Sequence, residues 1–210
     1  MKTWKLDGRT VHYYPTTKQG APLIYLNGTR LDASLILPDH HLVIIEDVDW
    51  HHDLAPWPMD PLFKKDLPYT GGADAYLDWL VNKVAHPLED TIQGGVPWRG
   101  LVGYSLAGLF SIYALYQTDH FERVASVSGS LWYPGFLTYA RTHTLCCQPQ
   151  KVYLSLGDRE HRTRHPLMKE VAHCTQALTE LLDCPVIFQS QPGNHFDHLT
   201  DRLRQAIQAL

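Results

Sequence analysis

The chain holds nothing close to the run of about 20 apolar residues that a membrane-spanning helix needs, so no such helix is expected. It also lacks a basic excess. Lys and Arg total 18 against 22 Asp and Glu, a net charge of −4, whereas a dedicated nucleic-acid binder needs cations to displace phosphate counterions. Cysteine is scarce, and Cys146, Cys147, Cys174 and Cys184 show no paired spacing. The expectation is four thiols packing as small apolar side chains in a reducing compartment. Met1 to Gly8 carries no apolar signal core, which makes the cytoplasm the expected address. Repeats, linkers and low-complexity tracts are absent as well. With 44% apolar and 19% charged residues, the composition is that of a folded chain, and 210 residues fit one domain, residues 1–210, with its own core.

What is present alternates between short β-rich runs and longer helical stretches. Val11 to Tyr14 reads as a strand of an early hairpin. Pro22 to Leu26 and Leu42 to Ile45 are continuous apolar runs, the mark of strands buried on both faces. Asp49 to Gly72 is crowded with proline and tryptophan, which disfavours regular helix. Tyr76, Leu77, Leu80, Val81 and Val84 then recur at helical spacing, predicting a helix from Ala73 to about Ala85 that ends near Pro87. Leu101 to Tyr104, Val124 to Ser128, Val152 to Leu156 and Val186 to Gln189 read as further strands. Leu106 to Tyr116, Met168 to Leu182 and His198 to Leu210 read as helices. This alternation predicts an α/β fold: a mostly parallel central sheet flanked by helices on both faces, with ligands beyond the carboxyl ends of its strands.

Gly103-Tyr104-Ser105-Leu106-Ala107-Gly108 falls between a predicted strand and a predicted buried helix, the context that a nucleophile elbow demands. Small residues around the serine let a strained turn pass close to its neighbours and project the hydroxyl at the sheet edge. A serine hydroxyl needs a base. His195, after the strand Val186 to Gln189 and the turn Gln191 to Asn194, is the candidate, with His198 as its competitor. The imidazole in turn needs an acid, and Gly157-Asp158-Arg159-Glu160 offers both Glu160 and Asp158. Glu160 is favoured because hydrolases of this architecture often place the acid three residues past the glycine, and the order serine, acid, histidine is that of the α/β-hydrolase fold. Oxyanion donors would be the amide of Leu106 and that of Gly28 or Thr29, in the loop after an early strand.

These motifs, together with Asp53-Leu54-Ala55-Pro56-Trp57, Gly71 to Leu77 and Pro192-Gly193-Asn194-His195, stand in one order from about residue 22 to 200. In that order the chain resembles the esterase D-like branch of the α/β-hydrolases, and within it the siderophore trilactone esterases that open ferric enterobactin or bacillibactin. The resemblance implies serine-dependent hydrolysis of a carboxylic ester through an acyl-enzyme, with Ser105 as nucleophile and His195 as base, and with no metal or organic cofactor. A short-chain acyl esterase, a thioesterase of small conjugates and a non-catalytic binding protein on the same fold are the alternatives.

Four side chains are substrate-binding candidates. Trp57 could wall the acyl pocket or pack its loop onto the core; Trp132 and Tyr133 follow a central strand at the edge where substrates enter. Arg159 opens a basic run to Arg164 near the proposed acid, which could attract an anionic ferric siderophore. His161 and His165 have a spacing open to zinc, but the surrounding arginines and Pro166 argue against a metal site. The length leaves few residues for a cap, so no or minimal lid is expected.

Overall fold

The computed structural model describes residues 1–30 and 32–210. In chain order its elements begin with β1 (Lys2–Leu6), β2 (Arg9–Tyr14), β3 (Leu23–Asn27) and β4 (His41–Glu46). A small hairpin follows, β5 (Pro58–Met59) with β6 (Tyr69–Thr70), and then α1 (Ala73–Trp79), which runs through a π-helical stretch, Leu80–Ala85, into α2 (His86–Glu89). The remainder is β7 (Arg99–Tyr104), α3 (Leu106–Ala114), β8 (Arg123–Val127), α4 (Phe136–Thr142), β9 (Lys151–Gly157), α5 (Val171–Leu181), β10 (Val186–Gln191) and α6 (Leu199–Ala209).

Eight strands form one sheet in the order β1-β2-β4-β3-β7-β8-β9-β10. Both pairings of β2 are antiparallel, and every pairing from β4 to β10 is parallel. The apolar runs that promised two-sided burial divide their side chains between the faces. Leu23 and Tyr25 of β3 join one core and Ile24 and Leu26 the other, as the period of two along a strand requires. The first core is covered by the helices α1 to α5, and the second by α6 with the short 3-10 turn Ala33–Leu35. Among the described residues no helix is long and apolar enough to cross a membrane.

Pairing register places the chemistry. Asn27 is opposite Gly103, Gly103 opposite Ser126, and Gly157 opposite Gln191, so the residues that follow these strand ends emerge along a single edge.

The helix opening at Ala73 runs to Glu89, two residues beyond Pro87, near which it is expected to end. The wider π turn, in which the His86 amide donates to the Val81 carbonyl, lets the chain carry Pro87 without a missing bond in a regular ladder. α4 and the β5–β6 hairpin are unannounced by periodicity, being too short to develop a pattern. The proline-rich segment is tied down by polar contacts. Buried Asp53 accepts from both the Nε and Nη2 of Arg9, at 2.9 and 2.6 Å, and Trp57 Nε1 donates to the Pro134 carbonyl at 2.8 Å. Asp74, in the first turn of α1, accepts from the Tyr113 hydroxyl at 2.7 Å. All four cysteines are free thiols.

A Cβ on Gly103 would collide with the Ala107 carbonyl and stand 2.8 Å from the Gly108 amide nitrogen. Gly103→Ala is therefore expected to destabilise the fold by roughly 3 kcal/mol or more, read as a lower denaturant midpoint with little change in slope.

Candidate active site

The turn from β7 to α3 carries Ser105 at φ 58° and ψ −120°, a region that a non-glycine residue occupies at a cost on the order of 1–3 kcal/mol. Three backbone bonds hold it there. The Ser105 amide donates to the Val127 carbonyl at 3.0 Å, and its carbonyl accepts from Leu109 at 3.1 Å and Ser130 at 2.9 Å. The serine side chain is thereby fixed over the end of the sheet.

His195 arrives from the loop after β10, and its Nε2 stands 3.0 Å from the Ser105 hydroxyl. The other ring nitrogen, Nδ1, is 2.8 Å from Glu160 Oε2. The ring is also packed: Tyr104 lies at 4.9 Å between centroids, and Phe196 meets it edge-on at 5.0 Å. The Tyr104 hydroxyl donates to the His195 carbonyl at 2.6 Å, and burial pushes that phenol well above its usual range.

Glu160 is a buried carboxylate with both oxygens engaged. Oε1 accepts from the Ser128 hydroxyl at 2.7 Å, the Gly157 amide at 2.7 Å and Arg202 Nη1 at 3.1 Å. Burial pushes the carboxyl up, but hydrogen bonds from His195, Ser128 and the Gly157 amide outweigh it and hold the group below the ordinary glutamate value. Arg202 comes from near the start of α6, is 1% exposed, and also donates to Ser128 Oγ at 3.1 Å and the Pro192 carbonyl at 2.8 Å. It joins the acid's loop to the histidine's loop.

Asp158 is occupied elsewhere. Its Oδ1 accepts from the Gly193 amide at 2.8 Å, bracing the turn that leads to His195, so of the two carboxylates only Glu160 meets the imidazole. His198, at φ 58°, caps α6 and is exposed.

These groups open into a cavity of about 320 Å³. Its walls include Trp50, Leu62, Tyr69, Trp132, Met168 and Val171. Leu106 lies on its floor, and its amide is in the first turn of α3, where helix amides have no intrahelical acceptor. Ser130 also lines it, with Oγ 3.4 Å from Ser105 Oγ.

A model of the esterase family described as "Putative esterase" matches residues 29–183. The chain belongs to this family. Among curated proteins, the esterase is 25% identical over 184 residues to a Bacillus subtilis protein, YbbA, described as uncharacterized; the match covers 80% of this chain and 74% of the relative. Among solved structures it is similar to the siderophore hydrolase EstA from Aspergillus nidulans, with TM-score 0.79, 19% identity, and coverage of 99% of this chain and 93% of the other. It is also similar to an IroE-like serine hydrolase from Shewanella oneidensis, with TM-score 0.79, 16% identity, and coverage of 99% and 78%. At such identities the structures show that the esterase has the α/β-hydrolase fold.

Several expected positions fall differently in the esterase. The Gly28 amide donates to the Ile45 carbonyl at 3.0 Å, extending the β3–β4 ladder, so it cannot face a substrate, and Thr29 is the remaining amide of that pair. Gly28 serves the site in another way. At φ 69° it lies against Trp50, where a Cβ would come within 2.9 Å of the indole. Trp132 lines the cavity; Trp57 and Tyr133 do not. Trp57 packs edge-on against Tyr113 and Tyr133, and the Tyr133 hydroxyl donates to the Trp57 carbonyl at 2.7 Å, so both residues clamp the proline-rich segment to the loop after β8. The Arg159 side chain points to Asp158 and Asp197, 3.8 Å from each, and stays outside the cavity.

Arg202 and Ser128 escaped sequence reasoning. An arginine in the amphipathic helix α6 reads as a solvent-facing charge, and only the tertiary fold shows that it points inward. Replacing it with Met would strand the Glu160 carboxylate. Arg202→Met is expected to lower unfolding free energy by about 3–5 kcal/mol at neutral pH. Because the folded state holds Glu160 below its usual value, that stabilisation exists above the ordinary glutamate range and disappears as pH falls through the folded value. The gap between Arg202→Met and wild type should therefore narrow in acid denaturation series.

Proposed function

We propose that this esterase is a serine-dependent carboxylic ester hydrolase working through an acyl-enzyme. The observation that carries the reading is the unbroken relay from Ser105 Oγ to His195 Nε2 at 3.0 Å and from His195 Nδ1 to Glu160 at 2.8 Å, set at the base of an apolar cavity. Ser105 Oγ attacks the ester carbonyl while His195 Nε2 takes its proton. The oxygen that gains charge is met by the Leu106 amide, with the Thr29 amide as the second donor. Collapse breaks the bond to the alcohol oxygen, which leaves with the proton from His195. Water then gives a proton to the same nitrogen, attacks the acyl carbon and releases the carboxylic acid and free Ser105. Glu160 fixes the tautomer that leaves Nε2 free to accept and steadies the imidazolium formed at each step.

The substrate is a small-molecule ester. Descriptions of solved neighbours as siderophore hydrolases support a siderophore lactone as one such ester. Rates on a ferric catecholate trilactone and on p-nitrophenyl acetate and butyrate test that narrower assignment; an untouched trilactone removes it.

A fluorophosphonate probe is expected to label Ser105 covalently, with no labelling of Ser105→Ala. Ser105→Ala and His195→Ala should each lose about 10⁴-fold or more in kcat, and Glu160→Gln roughly 10²–10⁴-fold, with smaller changes in KM. Since the imidazole acts in its neutral form, kcat/KM should fall toward acid. An unlabelled wild-type protein, or an active Ser105→Ala, overturns the proposal.

A further inference from the structure

The cavity is bounded on one side by Leu62 and Tyr69, and these same two residues line a second hollow, an open groove of about 730 Å³. Five prolines, Pro58, Pro61, Pro68, Pro134 and Pro166, form much of that groove together with Leu167. Proline walls have little backbone freedom to lose, so the groove is shaped before anything enters it. The loops that build it are fastened across its width, because His165 Nε2 meets the Leu62 carbonyl at 3.2 Å and its ring stacks edge-on with Phe63 at 5.3 Å.

The two hollows share a charge pattern. Neither is lined by a Lys or an Arg; besides Tyr69, which lines both, their titratable groups are His51, Glu160 and His195 in the cavity and Asp60 and His165 in the groove. Arg159, the nearest cation to the proposed acid in sequence, is turned toward Asp158 and Asp197. An anion drawn into either hollow would give up water and meet no Lys or Arg on the walls, because the guanidinium that pairs with Glu160, Arg202, lies behind the carboxylate and is 1% exposed. An uncharged apolar group would lose nothing comparable and would remove the walls from water.

We propose that the substrate is a neutral ester with two apolar arms, one held in the cavity above Ser105 and the other crossing Leu62 and Tyr69 into the proline-lined groove. The inference rests on the ester-hydrolase reading of the site. Cavity and groove adjoin at the wall that Leu62 and Tyr69 share, which makes a second arm of the same substrate the occupant. A siderophore ester fits this description only in an uncharged form.

The test is a matched series of methyl, benzyl and naphthylmethyl acetates, and of methyl acetate, phenylacetate and naphthylacetate, which lengthen the alcohol and the acyl side in turn. A carboxylate-bearing counterpart of each aromatic ester and the anionic ferric catecholate trilactone complete the set. Along at least one series kcat/KM is expected to rise about tenfold or more, and the carboxylate counterparts should lose that gain. Leu167→Asp should lower the ratio of kcat/KM for the arm-bearing ester over its methyl reference roughly tenfold, while Leu167→Met keeps the wild-type ratio. The proposal is overturned if the anionic esters are turned over as fast as the neutral ones, or if Leu167→Asp leaves the ratio unchanged. Fluorophosphonate labelling of the same preparations separates the two levels. Labelling at Ser105 with flat series sinks the substrate inference alone, and neither labelling nor turnover sinks the hydrolase reading.

Discussion

Glu160 has to remain charged after the fold has taken it out of water, and much of the carboxyl edge of the sheet is arranged around that requirement. An isolated buried carboxylate would take up a proton, and a protonated acid would offer the imidazole no charge to work against. The fold answers with a hydroxyl from the loop after β8, an amide from the end of β9 and a guanidinium from α6. Three elements distant in sequence therefore converge on one oxygen. This explains why Ser128 is held at a positive φ of 49° and why an arginine occupies the buried face of an otherwise amphipathic helix. The same guanidinium reaches the Pro192 carbonyl, so the device that keeps the acid ionised also sets the loop that delivers His195.

The strained elbow is the counterpart on the other side of the histidine. Its backbone is pinned from β8 and from the loop beyond it, and the absence of a Cβ at Gly103 lets α3 start close against β7. On the proposed mechanism, a hydroxyl fixed in this way needs little reorganisation to meet a carbonyl carbon. Walls from the proline-rich segment complete the cavity, and Gly28 and Trp50 pack so closely that the loop after β3 and that segment are shaped together.

Much of this was legible in the residues. Continuous apolar runs such as Leu42 to Ile45 can only be buried on both faces, and Gly103 to Gly108 between strand and helix carries its own geometric reason. His195 and Glu160 followed from strand ends. What could not be read was anything set by which loops face each other. Trp57 looked like a pocket wall because it is aromatic and lies in a loop, yet its indole donates across to Pro134 and supports the segment from beneath. Gly28 looked like an oxyanion donor because it follows a strand, yet a parallel ladder continued one residue further and took its amide. Arg159 looked like an electrostatic lure for anions, and its neighbours Asp158 and Asp197 claim it. Each of these depends on a partner from another element: Pro134 for Trp57, Ile45 for Gly28 and Asp197 for Arg159.

The central claim is that chemistry passes through an ester on Ser105. Mass spectrometry of the intact protein, acid-quenched during turnover of a slow aromatic ester and followed by peptide mapping, tests it most directly. The account predicts an adduct of the acyl group's mass on the peptide containing Ser105, present during turnover and absent from Ser105→Ala. Turnover by wild type with no adduct on Ser105 at any quench time, or continued turnover by Ser105→Ala, would contradict it.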